Sequence, residues 1–352
     1  MSKTVRIILS VICGLLILAA PFLISSPSLL TEAYDRMTED REDEDSIELD
    51  FGRLFLSGAM AEDAENLEEL EEEVVEGLDS DLINEAYALP LDFSVPPAPK
   101  AENYTENGYE DASIRVRVEE READGVIWHL AFVQVASPTQ LRTATAHGLK
   151  SKSPASVGGM ARSNNAIVAI NGDNFQTETQ KKTFEYRMTE KVRSSTNKEK
   201  DILIIDENGD FNLVMAAPKK EQAEALTAVA AEHQIVNAFT FGPALVRDGA
   251  ELEISTHYGF NPNRPEPRAA IGQLGRLSYV MAIAEGRGES AGINFQNLAH
   301  FMKELGCTQA YNLDGGNSAL LAFGDREFKG QPGGDTRAVN VIIFFATAVS
   351  EE

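Results

Sequence analysis

Hydrophobic and polar positions divide this chain into an apolar N-terminal run, a polar acidic stretch and a longer part in which short apolar segments alternate with turns. In this last part, Ile114, Val116 and Val118 alternate with charged residues, which is the pattern of a half-buried strand. A second predicted strand covers residues 126–135 and follows through Asp124-Gly125, a dipeptide typical of hairpin turns. The pattern therefore predicts β-structure from about residue 111 onward.

Helical spacing is rarer than strand-like alternation in this region. Predicted helices cover residues 156–163, 219–233 and 295–305, and Asn294 is placed to cap the last of them. The further predicted strands cover residues 166–170, 202–206, 211–215, 240–247, 269–272, 277–284, 311–313, 319–323 and 338–346. Because strands outnumber helices and do not alternate regularly with them, the predicted fold class is α+β, with helices packed on a mostly antiparallel or mixed sheet.

Residues 1–30 form a predicted membrane segment. Lys3 and Arg6 precede an uncharged apolar run over residues 7–24, whose length lies between that of a signal-peptide core and that of a spanning helix. The positive charge before the run and the acidic residues after it place the rest of the chain outside the cytoplasm. The sequence after Ala19-Ala20 is a poor cleavage site, which favours an uncleaved anchor. We expect a membrane-anchored protein with an extracytoplasmic main domain, and a secreted protein is the alternative.

Residues 31–110 form a predicted acidic and proline-rich stalk. The chain has a formal net charge of −25, and residues 31–80 hold 20 Asp or Glu against 3 Arg. Carboxylates at this density repel one another and bury little apolar surface. Lys and Arg form no cluster, so nucleic acid is not an expected partner. Together with the onset of alternation, this predicts a main domain over residues 111–348.

Two glycine turns are the strongest candidates for a functional site. The sequence contains no P-loop, dinucleotide-binding or serine-hydrolase motif and no paired-histidine metal spacing, so chemistry is expected from carboxylates, amides and arginines. Each turn follows a predicted buried strand, and the turns read Asn171-Gly172-Asp173-Asn174-Phe175 and Asn312-Leu313-Asp314-Gly315-Gly316-Asn317-Ser318. Strand ends hold side chains in fixed positions, and glycines let a ligand approach the backbone. Either turn alone could be an ordinary hairpin, but two in one domain favour a site.

A third glycine-rich segment and two arginines point to an anion. Glu285-Gly286-Arg287-Gly288 precedes the helix capped by Asn294, and backbone N–H groups at a helix N-terminus can bind anions. A plain connecting loop is the alternative. Arg268 and Arg337 stand at the starts of predicted strands, where guanidinium groups could bind a phosphate or could simply be solvated.

The order of these segments resembles that of the phosphodiester glycosidases. The segments that carry the resemblance are Asn171 to Phe175, Phe241-Gly242-Pro243-Ala244-Leu245-Val246 with Asp248-Gly249, Pro267 to Gly272, Glu285-Gly286-Arg287, Leu298 to Gly306, Asn312 to Ser318 and Arg337-Ala338-Val339-Asn340. The family includes N-acetylglucosamine-1-phosphodiester alpha-N-acetylglucosaminidase, and its bacterial members are often described as exopolysaccharide-biosynthesis proteins. The resemblance covers residues 114–345. The chain departs from the family pattern at Glu285, where the family has Asp, at Asn317, where it has Gly, and over the polar residues 176–200, which resemble an insertion. These departures bear on the substrate more than on the type of reaction.

The resemblance implies hydrolysis of a sugar-1-phosphodiester at the anomeric carbon, in a cell-envelope or extracellular glycan. It implies that Asp314 acts as nucleophile or as base for water, with Asp173 as a second carboxylate and Glu285 as a further candidate. It assigns substrate binding to Asn171, Gly172, Arg268, Arg287, Asn312, Gly315, Gly316, Asn317, Ser318 and Arg337. The arginines would hold phosphate oxygens, and the Asn171, Asn312 and Ser318 side chains would bond sugar hydroxyls. A divalent cation stays open, because Asp and Asn in tight loops suit hard cations but no complete ligand spacing is present.

Two other functions remain open. One is a non-catalytic glycan-binding or exopolysaccharide-assembly protein with the same fold. The other is a metal-dependent phosphoesterase that breaks the P–O bond. All three interpretations depend on whether the two glycine turns, which are separated by about 140 residues of sequence, meet in the folded domain.

Overall fold

The computed structural model describes residues 79–173 and 183–350. The predicted α+β class is confirmed, since this part of the chain forms three sheets with packed helices, and all its strand pairs are antiparallel. The predicted membrane segment and residues 31–78 of the predicted stalk lie outside the described residues. None of the helices in the described ranges has the length and apolar character that a membrane crossing requires.

Eighteen strands and three α-helices are described, numbered here in chain order. The strands are β1 (Gly108–Glu110), β2 (Ile114–Ala123), β3 (Val126–Val135), β4 (Leu141–Thr145), β5 (Val168–Asn171), β6 (Phe184–Arg187), β7 (Glu190–Ser194), β8 (Ile202–Asp206), β9 (Phe211–Val214), β10 (Ile235–Thr240), β11 (Ala244–Arg247), β12 (Ala250–Glu251), β13 (Arg268–Gly275), β14 (Ser278–Ala284), β15 (Gln309–Leu313), β16 (Leu320–Phe323), β17 (Arg326–Lys329) and β18 (Val341–Phe345). The helices are α1 (Val157–Ser163), α2 (Lys219–Glu232) and α3 (Phe295–Glu304). The eight-stranded sheet has the order β1-β2-β3-β14-β13-β15-β11-β12, and the two five-stranded sheets have the orders β7-β6-β10-β8-β9 and β17-β16-β5-β18-β4.

The predicted alternation on β2 corresponds to burial. Ile114, Val116 and Val118 are at most 3% exposed and belong to the core that the three sheets share. The opposite face of the large sheet packs on α3, where Trp128 stacks on Phe301 with ring centroids 3.6 Å apart. Each large side chain that is fully buried in this way contributes about 1.5–3 kcal/mol. The central strands therefore have no face left for solvent, and polar groups reach the surface mainly at strand ends.

The chain packs against the domain well before residue 111. Buried Ser80 donates a hydrogen bond to the Val135 carbonyl at 2.8 Å, and β1 extends the large sheet at its edge. Buried Arg142 donates to the carbonyls of Pro90, Asp92 and Ser94. These contacts involve backbone carbonyls rather than a row of apolar side chains. Hydrophobic alternation, which indicated the boundary at residue 111, could not reveal them.

Two local features that position the site differ from the sequence prediction. The predicted strand over residues 240–247 is two strands in different sheets, because β10 ends at Thr240 and β11 begins at Ala244 after Gly242-Pro243. The polar stretch after the first glycine turn contains β6 and β7, which form one edge of a five-stranded sheet. As a result, charged side chains of β6 are placed beside that turn.

Candidate active site

The two glycine turns meet in the structure. The backbone N–H of Asp314 donates to the Gly172 carbonyl at 3.2 Å, and the Asn171 side-chain amide donates to the Asp314 carbonyl at 2.7 Å. The Asn171 side-chain oxygen accepts from the backbone N–H of Leu320 at 3.0 Å. Buried Asn171 thus joins the ends of β5 and β15, which belong to different sheets. Its side chain holds the two turns together instead of reaching for a substrate.

Asp314 carries the most accessible carboxylate of this junction. Arg337 Nη2 lies 2.7 Å from Asp314 Oδ2, and Arg337 Nε donates to the Ser318 hydroxyl at 2.8 Å. Burial is the largest influence on the pKa of Asp314 and raises it above its ordinary value, while Arg337 and Ser318 act in the opposite direction. The negative charge of Asp173 raises this pKa further. The Arg337 side chain is 54% exposed, so part of its guanidinium faces solvent.

The second turn needs its glycines for shape. Gly316 has φ +59°, and a Cβ on Gly315 would lie 2.7 Å from the Pro267 carbonyl oxygen. Arg287 covers this turn, since its Nη1 donates to Asn317 Oδ1 at 2.8 Å while its Nε donates to Glu266 at 2.7 Å. The departure from the family pattern at Asn317 thus supplies a partner for Arg287.

Asp173 lies behind Asp314 in the protein interior. Its Oδ1 is 2.7 Å from Arg187 Nη2, and neither side chain is exposed to solvent. The Arg187 guanidinium also stacks over Phe239 at 4.4 Å and donates to the Ala238 carbonyl. Burial raises the pKa of Asp173, and the guanidinium of Arg187 opposes that rise. Asn174 and Phe175, which complete the predicted turn, lie outside the described residues.

Sequence reasoning missed a third acid next to Asp173. Glu185 on β6 is fully buried and lies 3.2 Å from Arg193 on the neighbouring strand β7. Burial and then the charge of Asp173 raise the pKa of Glu185 from 4.5 to about 7. The available signal was the Glu185-Tyr186-Arg187 spacing, because residues two apart on a strand share one face. In a stretch interpreted as a polar insertion, this pattern did not stand out.

Glu185 is expected to make stability depend on pH. Between about pH 4.5 and 7 the folded protein keeps a proton that the unfolded chain has lost, so the free energy of unfolding falls as the pH rises through this window. Replacing Glu185 by Gln should remove this loss, worth on the order of 3 kcal/mol above pH 7. Urea unfolding at several pH values measures the effect, and Glu190→Gln on the exposed side of β7 is the control. A stability difference between wild type and Glu185→Gln that does not change with pH would contradict the prediction.

The side chains of Arg268 and Asn312 form hydrogen bonds to backbone carbonyls inside the protein. The buried guanidinium of Arg268 donates to four backbone carbonyls, those of Phe260, Asn261, Arg264 and Ile293. Its predicted contact with phosphate is not favoured by this placement, because the donors that a phosphate would need are already engaged. Asn312 is buried and donates to the Gly242 carbonyl at 2.8 Å.

Glu285 has a partner outside the junction of the two turns. Its Oε1 lies 2.6 Å from His129 Nε2, and both side chains are buried. Within the described residues no hydrogen bond or ion pair joins Glu285 to Asp314 or Asp173. Glu285 is therefore not used in the mechanism below.

Among the described residues, one group could hold a metal ion, and it lies away from the two glycine turns. Ligand atoms of Asp206, Glu207 and His233 are within 4.8 Å of one another. Asp206 pairs with the start of β10, whereas Thr240, at the other end of that strand, lies beside Asp173. Ile235, the partner of Asp206, and Thr240 are five positions apart on β10, which corresponds to a distance of about 17 Å along the strand. This group therefore cannot deliver a cation to Asp314.

Comparisons with known proteins identify the family of the chain. A family model described as phosphodiester glycosidase matches residues 164–346, just over half of the chain, and this range contains both glycine turns. The SPbeta prophage-derived uncharacterized protein YomE of Bacillus subtilis (strain 168) is 32% identical over 104 residues, which are 29% of this chain and 16% of that protein. The chain therefore matches only about one-sixth of the length of that curated relative.

Solved structures with a similar fold include the catalytic domain of zebrafish N-acetylglucosamine-1-phosphodiester alpha-N-acetylglucosaminidase, auto-inhibited by its pro-peptide. The TM-score is 0.51 at 18% identity, over 71% of this chain and 86% of that one. A hypothetical protein from Synechocystis gives a TM-score of 0.49 at 15% identity, over 66% of this chain and 62% of that one. At this level of identity the zebrafish structure supports the fold alone.

Proposed function

The chain belongs to the phosphodiester glycosidase family, and on this basis we propose that it hydrolyses a sugar-1-phosphodiester at the glycosidic C1–O bond. The observation that carries the proposal is the junction at which Asp314, paired with Arg337, stands at the meeting point of both glycine turns. We further propose a cell-envelope or extracellular glycan as the substrate and an exported, membrane-anchored protein. This second part is supported by the apolar segment and its flanking charges at the N-terminus.

The chemistry requires an ionised carboxylate more than it requires an acid. When the C1–O bond breaks, its electron pair goes to a phosphodiester oxygen, which is a weak base and leaves without a proton. The positive charge that develops at C1 needs a nearby carboxylate, which either attacks C1 or takes a proton from the attacking water. We assign this role to Asp314: burial raises its pKa, Arg337 and Ser318 oppose that rise in favour of the charged form, and its side chain is 13% exposed.

Arg337 has a second function in this proposal. Two of its nitrogens fix Asp314 and Ser318, and the exposed part of the guanidinium can donate to a phosphate oxygen. Both ends of the bond that breaks would then be held by one ion pair. Arg287, which is 44% exposed and covers the same turn, is a second donor for the phosphate.

Asp173 and Asn171 act through Asp314. The negative charge of Asp173 raises the pKa of Asp314 and so makes it a stronger base; burial raises the pKa of Asp173 itself, and Arg187 opposes that rise. Asn171 and Gly172 fix the backbone of Asp314. Asp173 and Asn171 are therefore positioning residues in this mechanism.

Hydrolysis in water enriched in oxygen-18 tests the proposal. With an N-acetylglucosamine-1-phosphodiester as substrate, we expect the label in the released sugar, because water adds to C1. Label in the phosphate would mean cleavage of the P–O bond and would support the phosphoesterase alternative. Binding of glycan phosphodiesters without release of sugar would support the non-catalytic alternative.

A further inference from the structure

Phe260 is an aromatic residue held at the surface in a strained backbone conformation. It is 45% exposed, and both Phe260 and Asn261 have positive φ, at +69° and +55°. A bulky residue in this region is strained and persists only where the surrounding structure enforces it. A protein that both strains this residue and leaves it exposed to water gains no folding stability from the arrangement.

Arg268 enforces this conformation. Its guanidinium donates to the carbonyls of Phe260, Asn261 and Arg264 at 3.1, 2.8 and 3.2 Å. The same guanidinium stacks on Phe295 at 3.9 Å, so the loop is fixed to α3. The arginine predicted to bind phosphate is thus the group that fixes the position of Phe260.

The Phe260 ring rests on a rigid base. It stacks on Phe241 with centroids 4.5 Å apart and planes 8° apart, and Lys200 Nζ lies 4.0 Å from its centroid. Phe241 is buried, and its backbone N–H donates to the Tyr311 hydroxyl on β15 at 2.8 Å. The ring pair is therefore anchored to the strand that carries Asp314.

This aromatic pair borders the carboxylate site. Phe241 directly follows Thr240, whose backbone N–H lies beside Asp173. The next carbonyl, that of Gly242, accepts the side-chain amide of Asn312, which is two residues, or about 7 Å, before Asp314. The backbone N–H of Asn312 donates to the Pro243 carbonyl at 3.0 Å, so the segment that carries Phe241 runs beside the end of β15 that leads to Asp314.

We propose that Phe260 is the platform on which the pyranose ring of the substrate stacks. This inference rests on the proposed function and adds a sugar subsite to it. The apolar C–H face of a pyranose fits a flat exposed aromatic ring, while its hydroxyls stay available to polar groups at the rim. A ring already fixed by Arg268 and Phe241 loses little conformational freedom when the sugar binds.

Equilibrium binding tests the platform. Calorimetry would measure Kd for N-acetylglucosamine 1-phosphate and for inorganic phosphate with wild type, Phe260→Ala, Phe260→Leu and Phe260→Trp. We expect Ala and Leu to weaken sugar-phosphate binding by about three- to tenfold, the size of one lost aromatic contact, and to leave phosphate binding unchanged. Phe260→Trp should restore sugar binding. Phe93→Ala removes another exposed aromatic ring and should have no effect.

Several outcomes would overturn the proposal: equal losses for sugar phosphate and phosphate, no loss in the Leu variant, or no sugar-phosphate binding by wild type. Phe260→Leu keeps an apolar side chain at the position, so the proposal can still be tested with this variant if Phe260→Ala fails to fold. Because the readout is binding, it is independent of turnover. A wild type that binds the sugar through Phe260 but releases none would contradict the proposed hydrolysis and leave the platform intact.

Discussion

Replacing Asp314 by Asn is expected to lower kcat for a sugar-1-phosphodiester by at least about 10³-fold in a protein that remains folded, because a residue that attacks or deprotonates at the reacting centre dominates the rate. Asn keeps the shape of the side chain and can still bond Ser318. It lacks the charge that pairs with Arg337 and that opposes the positive charge developing at C1. Initial rates of sugar release, with circular dichroism as a check of folding, measure the effect.

Asp248 provides the matched control. It precedes Gly249 in an exposed Asp-Gly turn between β11 and β12, with φ +52°, and has no part in the site. Asp248→Asn should leave kcat unchanged, since it makes the same chemical change in an ordinary hairpin. Turnover by Asp314→Asn comparable to that of Asp248→Asn would remove Asp314 from the mechanism.

The pH dependence of catalysis provides a second test of the role of Asp314. Because burial raises its pKa above the ordinary value, the acid limb of kcat/KM should lie above the pH range of an exposed aspartate. Replacing Arg337 by Met removes the main influence that opposes this rise, so the limb should move to higher pH. A limb that does not move would mean that another group controls the rate.

Hydrophobic periodicity predicted most of the elements that surround the site. The β2–β3 hairpin, the buried strands β13 and β14 and the Asn294 cap of α3 follow from side-chain patterns within about ten residues, and all are present. The meeting of Asp314 with the Gly172 turn could not be derived in this way. It depends on contacts between sheets, for which a single sequence has no local signal. The family resemblance, rather than periodicity, placed these turns in one site.

Arg268 and Glu185 show where sequence reasoning stops. Arg268 looks like a phosphate ligand because it follows a proline at the start of a strand, yet its donors meet carbonyls of a loop that no pattern places there. Glu185 looked like part of a polar insertion, because a charged residue normally marks a solvent-facing position. In the buried position it pairs with Arg193, its cross-strand partner, and the charge of Asp173, which follows a strand of another sheet, raises its pKa.

The interior pair behind Asp314 leads to the second large prediction. Replacing Arg187 by Met should lower the free energy of unfolding by about 3–5 kcal/mol, the usual cost of leaving one partner of a buried ion pair alone. Asp173 has no solvent-exposed surface and loses its guanidinium partner, while Glu185 loses a nearby positive charge. Since burial then raises the pKa of Asp173 unopposed by Arg187, the loss should be larger at pH 8 than at pH 5. Urea unfolding at both pH values measures it.

A double variant distinguishes two causes of the stability loss in Arg187→Met, the unpaired charge of Asp173 and the lost packing of Arg187. If the loss comes from the unpaired carboxylate, adding Asp173→Asn to Arg187→Met should recover part of it, and most of its pH dependence should disappear. If the loss comes from the stacking of Arg187 over Phe239, the double variant should be no more stable than Arg187→Met at either pH. The double variant should also have a lower pKa at Asp314, because the charge of Asp173 that raises it is gone. Recovery of stability together with a shift of the acid limb of kcat/KM to lower pH would link the buried pair to the reactivity of Asp314. Recovery without that shift would limit the pair to a role in folding.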